Sequence, residues 1–291
     1  MDAATDHSDT ANRFAQCIAA LPPLPATAQQ ILTCFGDEFI DANKVTAVVE
    51  HDPSICAKLL GLANSAYFGL AQPVNSIGEA ISRVLGVDTV RSLVLALAIQ
   101  KSFRSKECPS FATERFWNKS LLVAECCKKI AMADDAADDA VRDLAYSAGL
   151  CHNLGLMALA HMEPKRTHTV LAAHAKLAQA DTLSDLCIEE FATDHRILTA
   201  ELARVWSLPE HMLGAYQYRA YPQLRCEERL GAVLSAAVTA VENSALEPGQ
   251  QLSLEPWAVI LGIGADELQE MARLSQRQQE RVQSLASNMT H

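Results

Sequence analysis

The stretch HDPSICAKLLGLANSAYFG, His51 to Gly69, decides the fold class. Asp52 can cap a helix whose first turn accepts Pro53, because proline there gives up only an N–H that has no intrahelical partner. Ile55, Leu59, Leu62 and Ala66 then recur on one face at a period near 3.6, and the helix should stop before Gly69. The pattern continues downstream. Ser76 can cap a helix that buries Ile77, Ile81, Val84 and Leu85, Gly86 ends it, and Val87 to Phe103 reads as a long helix so apolar all round that it should be central. Almost no segment alternates with period 2, so the expected fold class is all-α.

Local punctuation divides the chain. Residues 1–12 carry three Asp and no Lys or Arg and read as a polar tail, followed by an N-terminal helical lobe over 13–104. The polar stretch Arg104 to Ser110, with Pro109, marks a boundary. Beyond it a second lobe over 111–243 is expected to hold helices at Glu114–Met132, Val141–Met162, Thr182–Phe191, His195–Trp206, Pro209–Arg219 and Arg229–Asn243. Thr182 to Asp185 resembles a capping box, and Pro209 suits a first turn. Residues 244–291 form an extension of the same domain. Its helical part, Glu255 to Asn288, is rich in Gln and Arg towards its end and is expected to pack at first and then fray.

Composition bounds the function. The 24 Lys and Arg against 35 Asp and Glu give a net charge of −11, which argues against neutralising nucleic-acid phosphates or an anionic membrane surface. The longest uninterrupted apolar run, Leu93 to Ile99, is far below the roughly 20 residues a membrane helix needs. No export signal follows Met1, and a cytoplasmic protein is expected. The nine Cys are scattered without a Cys-x-x-Cys pair, so a zinc knuckle or disulfide framework is not indicated.

Chemistry-bearing residues are few. His152 and Asn153 lie in Ala148-Gly-Leu-Cys-His-Asn-Leu-Gly155, inside an apolar helical stretch, where a buried polar doublet must be hydrogen-bonded within the core or serve a site. His195 follows Asp194, a candidate N-cap, and either begins a helix facing the same interior or sits solvated at a helix start. Cys151 beside His152 is a poor nucleophile candidate, since helical neighbours splay about 100° apart. The acidic run Asp134, Asp135, Asp138 and Asp139 lacks the Gly and terminal Glu of a calcium loop and reads as a solvated connection. There is no His-Glu-x-x-His, phosphate-cradling Gly-rich loop or Gly-x-Ser-x-Gly.

Taken in order, these segments resemble one family, the HDOD domain, a helical signalling module related to the HD-type metal phosphohydrolases. The resemblance is carried by Leu21-Pro-Pro-Leu-Pro25, Val48 to Pro53, Lys58 to Gly69 with its Leu-Ala-Asn-Ser core, and Ser76 to Ile81 with Leu85-Gly86. It continues through Phe116 to Ser120, Ala148 to Gly155, Asp194-His195 and Trp206 to Pro209. It implies two helical lobes, the second an HD-hydrolase-like bundle. It also implies where a metal would sit in an active relative: Lys119 stands at the first His position, His152-Asn153 at the His-Asp doublet, His195 at a later His, and Gln217-Tyr218 at the paired His. No Asp in Leu230 to Val241 can serve as the last ligand.

Coordination chemistry gives these departures weight. A catalytic divalent ion typically needs at least three imidazole or carboxylate donors and an open position for water. Two imidazoles remain, Asn153 offers a neutral carbonyl, and Lys119 would set an ammonium beside the cation. Lys119 is expected to hydrogen-bond Asn153 and plug the former reaction centre. No catalytic residue, metal or cofactor is therefore expected. The favoured function is a non-enzymatic bacterial regulatory module that binds a partner protein or a small signal. The rival is a metal-dependent phosphohydrolase acting on a nucleotide or cyclic dinucleotide. No receiver-sized segment precedes the domain, so input is expected to arrive by binding. Neither nucleic acid nor membrane is an expected partner, and a homodimer is compatible with the sequence. A groove near Tyr67, Phe68, Trp117 and Tyr218 is the candidate binding surface, because aromatic residues are scarce here.

Overall fold

The computed structural model describes residues 21–35, 42–65, 68, 70–104, 107–177, 182–221, 228–277 and 279–290. Among them every regular element is helical, as the 3.6 period implies. The first five helices are α1 (Ala26–Leu32), α2 (Ala42–Glu50), α3 (Pro53–Ala63), α4 (Ile77–Ala80) and α5 (Val87–Gln100).

The caps predicted at Asp52 and Ser76 are present, whereas Pro209 stands just before its helix and not in its first turn. Asp52 accepts from the Ile55 N–H at 3.2 Å and also receives Lys101 Nζ at 2.7 Å, so one carboxylate starts α3 and ties it to the end of α5. Ser76 accepts from the Glu79 N–H at 3.1 Å. Helix α3 ends earlier than expected, at Ala63, because the Asn64 amide folds back on Val74. Its Oδ1 accepts from the Val74 N–H at 2.7 Å, and its Nδ2 donates to the Val74 carbonyl at 2.8 Å. Ala66 and Gly69 lie outside the described residues. After α4 the chain widens into a π-turn closed by the Gly86 N–H on the Ile81 carbonyl, and Gly86 adopts a φ of +75° that a side chain would strain. Ten consecutive residues of α5, Val90 to Ile99, are buried, which confirms its central place.

The second half is built on α6 (Thr113–Ala133). Around it lie α7 (Asp139–Cys151), α8 (Leu154–Met162), α9 (Pro164–Leu177), α10 (Thr182–Phe191), α11 (His195–Val205), α12 (Glu210–Ala220) and α13 (Arg229–Asn243). The single helix expected over 141–162 is in fact two, broken at His152-Asn153. Helix α9 escaped the periodicity reading because only Thr167 and Val170 of its 14 residues are buried, too few to draw an apolar stripe. Asp134 corrects the expectation of a solvated acidic run: it is fully buried and paired with Arg229 at 2.6 Å, while Asp138 caps α7 through the Val141 N–H.

Three helices close the chain: α14 (Glu255–Leu261), α15 (Ala265–Gln276) and α16 (Gln279–Thr290). The expected fraying of the end is not observed. Ala286 and Met289 are fully buried, Lys58 Nζ donates to the Met289 carbonyl at 2.7 Å, and Ser287 Oγ meets Glu114 Oε1 at 2.5 Å. Helix α16 thereby clamps α3 to α6, and one hydrophobic core runs continuously from Leu24 to Met289.

Candidate functional site

Two glycines flank the break at His152-Asn153. A Cβ on Gly149 would stand 2.6 Å from the Ala124 backbone of α6, and one on Gly155 would stand 2.0 Å from the His195 carbonyl of α11. Only glycine lets α6 and α11 approach this closely on either side. The Gly155 N–H donates to Thr199 Oγ1 at 2.9 Å and fastens the second crossing. As a result Lys119 on α6, His152 and Asn153 at the break, and His195 at the start of α11 line one cavity of about 870 Å³. His174 from α9, Arg219 from α12 and Glu242 from α13 are also among its polar walls.

His152 is 2% exposed, and its Nδ1 lies 2.7 Å from the Gly149 carbonyl. A carbonyl only accepts, so Nδ1 carries the hydrogen and Nε2 is the lone-pair atom. Burial, then the positive charges of Arg219 and Lys119, hold this imidazole well below its usual range, so it is neutral. His195 is buried too, which removes the reading of a solvated helix start. Its Nδ1 lies 2.9 Å from Asp194 Oδ1, yet burial outweighs that carboxylate and lowers its pKa as well. Asp194 caps α11 through the Arg196 N–H at 2.8 Å and also meets Ser184.

Lys119 does not bond Asn153 as expected. Its ammonium donates to Glu242 Oε1 at 2.7 Å, and the Asn153 Oδ1 is buried with no hydrogen-bond partner. Burial alone would raise the Glu242 carboxyl, but the charges of Lys119 and Arg219 outweigh it and hold the group down to about 2. The centre is therefore an open cavity with an ion pair in its wall, not a plugged core. Glu242 lies one residue beyond the segment Leu230 to Val241 in which a final acidic ligand was sought. Its signal in the sequence is that it is the only charged residue after Arg229 in an otherwise apolar helix. Arg219 likewise sits one position past Gln217-Tyr218.

Those two positions do not reach the cavity. Gln217 is exposed, and the Tyr218 ring packs over Gly231, where an added Cβ would stand 2.7 Å away. The aromatic groove is corrected on the same grounds. Trp117 is fully buried and edge-on to Phe116 at 5.1 Å, and Phe68 packs against the main core. Tyr67 lies outside the described residues. Cys151 is completely enclosed with its thiol pushed up to about 12, so no thiolate nucleophile stands beside His152.

The donor set does not fit a divalent ion. His152 Nε2 and His195 supply imidazole, but the Glu242 carboxylate is engaged by the Lys119 ammonium, Asp194 is taken up by Arg196 and the cap of α11, and Asn153 is uncharged. Among the described residues no group of three or more His, Cys, Asp or Glu side chains is arranged to hold a metal. No described helix is long and apolar enough to cross a membrane.

Comparison with known proteins agrees with this architecture. A candidate signal transduction protein from Marinobacter aquaeolei VT8 superposes with a TM-score of 0.83, at 23% identity over 98% of this chain and 67% of its own. A candidate phosphohydrolase from Shewanella amazonensis SB2B gives a TM-score of 0.72, at 24% identity over 95% of this chain and 98% of its own. An uncharacterized protein of Treponema pallidum (strain Nichols) is 23% identical over 214 residues, 74% of this chain, and the chain spans only 40% of that relative's length. At such identities the superpositions establish the fold. The HDOD domain profile matches residues 21–222, well over half of the sequence, and this chain belongs to the HDOD domain family.

Proposed function

We propose that the chain is a non-enzymatic regulatory module of bacterial signalling that acts by binding a partner protein or a small signal. The observation that carries this reading is the Lys119–Glu242 ion pair beside His152 and Asn153. An ammonium there repels a divalent cation and occupies the carboxylate such a cation would need, in a partly desolvated site where charge repulsion is poorly screened. The relative named for signal transduction is in keeping with this role.

The rival reading is a metal-dependent HD-type phosphohydrolase acting on a nucleotide or cyclic dinucleotide. It has in its favour the relative named as a candidate phosphohydrolase and the presence of Glu242. Turnover of bis(4-nitrophenyl) phosphate in Mn²⁺ or Mg²⁺ separates the two. The expected rate is that of the His152→Ala variant; metal-dependent turnover that disappears in His152→Ala reverses the assignment.

A further inference from the structure

Two consecutive residues at the helix break, His152 and Asn153, line the cavity and each brings it a hydrogen-bond acceptor. His152 is 2% exposed and Asn153 8%, so both are more than nine-tenths buried. The His152 Nδ1–H is committed to the Gly149 carbonyl, which leaves the Nε2 lone pair on a ring that lines the cavity. The Asn153 Oδ1 is buried and has no hydrogen-bond partner among the described residues. A buried acceptor without a donor costs about 1–3 kcal/mol, so the floor is built for something that donates.

The charges around the floor narrow what that donor can be. Lys119 and Arg219 both line this cavity; Glu242 neutralises Lys119, and the positive charge of Arg219 disfavours an ammonium, a guanidinium or a metal ion. Two lone pairs equally disfavour an anion's oxygens. Among the described residues the lining holds four Lys and Arg and three Glu side chains, nearly balanced although the chain carries −11, so it is not a polyanion cradle. We infer that the floor of this cavity binds an uncharged group with adjacent N–H donors, a carboxamide or an amino-substituted heterocycle, through His152 Nε2 and Asn153 Oδ1. The inference rests on the reading of the chain as a binding module and specifies the ligand chemistry of that same site.

Four probes test it on the full chain with nitrogen-15-labelled histidine at neutral pH: benzamide, its isosteres anionic benzoate and cationic benzamidine, and the bulkier N,N-dimethylbenzamide, which has no N–H. Benzamide is expected to shift the His152 Nε2 resonance and to bind about tenfold tighter than each of the others, the loss expected for an unmade hydrogen bond to a buried group. Equal or tighter binding of any other probe overturns the inference. So does the absence of a shift with benzamide at roughly 10 mM, a generous concentration for a fragment of this size. Asn153→Asp supplies a carboxylate at the same place and is expected to turn the preference about tenfold towards benzamidine; an unchanged order of probes also overturns it. Failure with benzamide but no Mn²⁺-dependent turnover sinks the ligand class alone, whereas such turnover sinks the binding-module reading.

Discussion

His152 carries both a structural burden and the chemistry of the cavity. An ordinary imidazole takes up a proton near pH 6.5. With the folded pKa depressed, the unfolded chain binds protons below that value which the native site refuses. Their contribution to stability is therefore complete above about pH 6.5 and is lost as pH falls. Glu242 adds a second loss at lower pH: its carboxyl is held down to about 2, so its contribution is present above the ordinary carboxylate range and disappears as pH falls towards that value. The melting temperature is expected to drop between about pH 7.5 and 5.5 and to drop less steeply in His152→Gln. An identical slope in the variant would show that the imidazole is not the group responsible. Of the residues that make this site, His152 and Asn153 were legible because a polar doublet stands out in an apolar helical stretch, His195 because it follows a capping Asp, and Lys119 only through the family resemblance. Glu242 and Arg219 were not: which helical position faces inward depends on rotation about the axis, and one residue is about 100°.

At the level of elements, the glycines flanking the break set how closely neighbouring helices cross. Gly155→Ala would drive a methyl into the His195 carbonyl, and with neither backbone free to move the expected loss is about 3 kcal/mol in urea unfolding. Gly61, inside α3, has open space where an added methyl would stand, with no atom within 4 Å, so Gly61→Ala should be neutral or stabilising by up to about 1 kcal/mol. Similar effects of the two substitutions would contradict the close-crossing account. Helices with a buried stripe, such as α3, or apolar all round, such as α5 and α13, were readable from local sequence alone. Helix α9, mostly solvated, and the kink at His152-Asn153, fixed by contacts with α6 and α11, were not, because both depend on tertiary packing that local periodicity does not encode.

Across the whole molecule, α16 joins the first helices to the second half. Met289 is fully buried, and its carbonyl holds Lys58 of α3, although the composition of this segment suggested a fraying end. Met289→Ala is expected to cost about 2 kcal/mol by removing buried contacts. No measurable loss would mean that the helix lies loosely on the surface. The continuous core and the glycine crossings bring the site's groups together, and the central claim concerns what they can hold: an ammonium–carboxylate pair in place of a metal. Titration of Mn²⁺ into the full chain, followed by the loss of the free-ion electron paramagnetic resonance signal, tests it most directly. The account predicts no saturable binding that depends on His152; one equivalent of Mn²⁺ bound by the native chain and released in His152→Ala would contradict it.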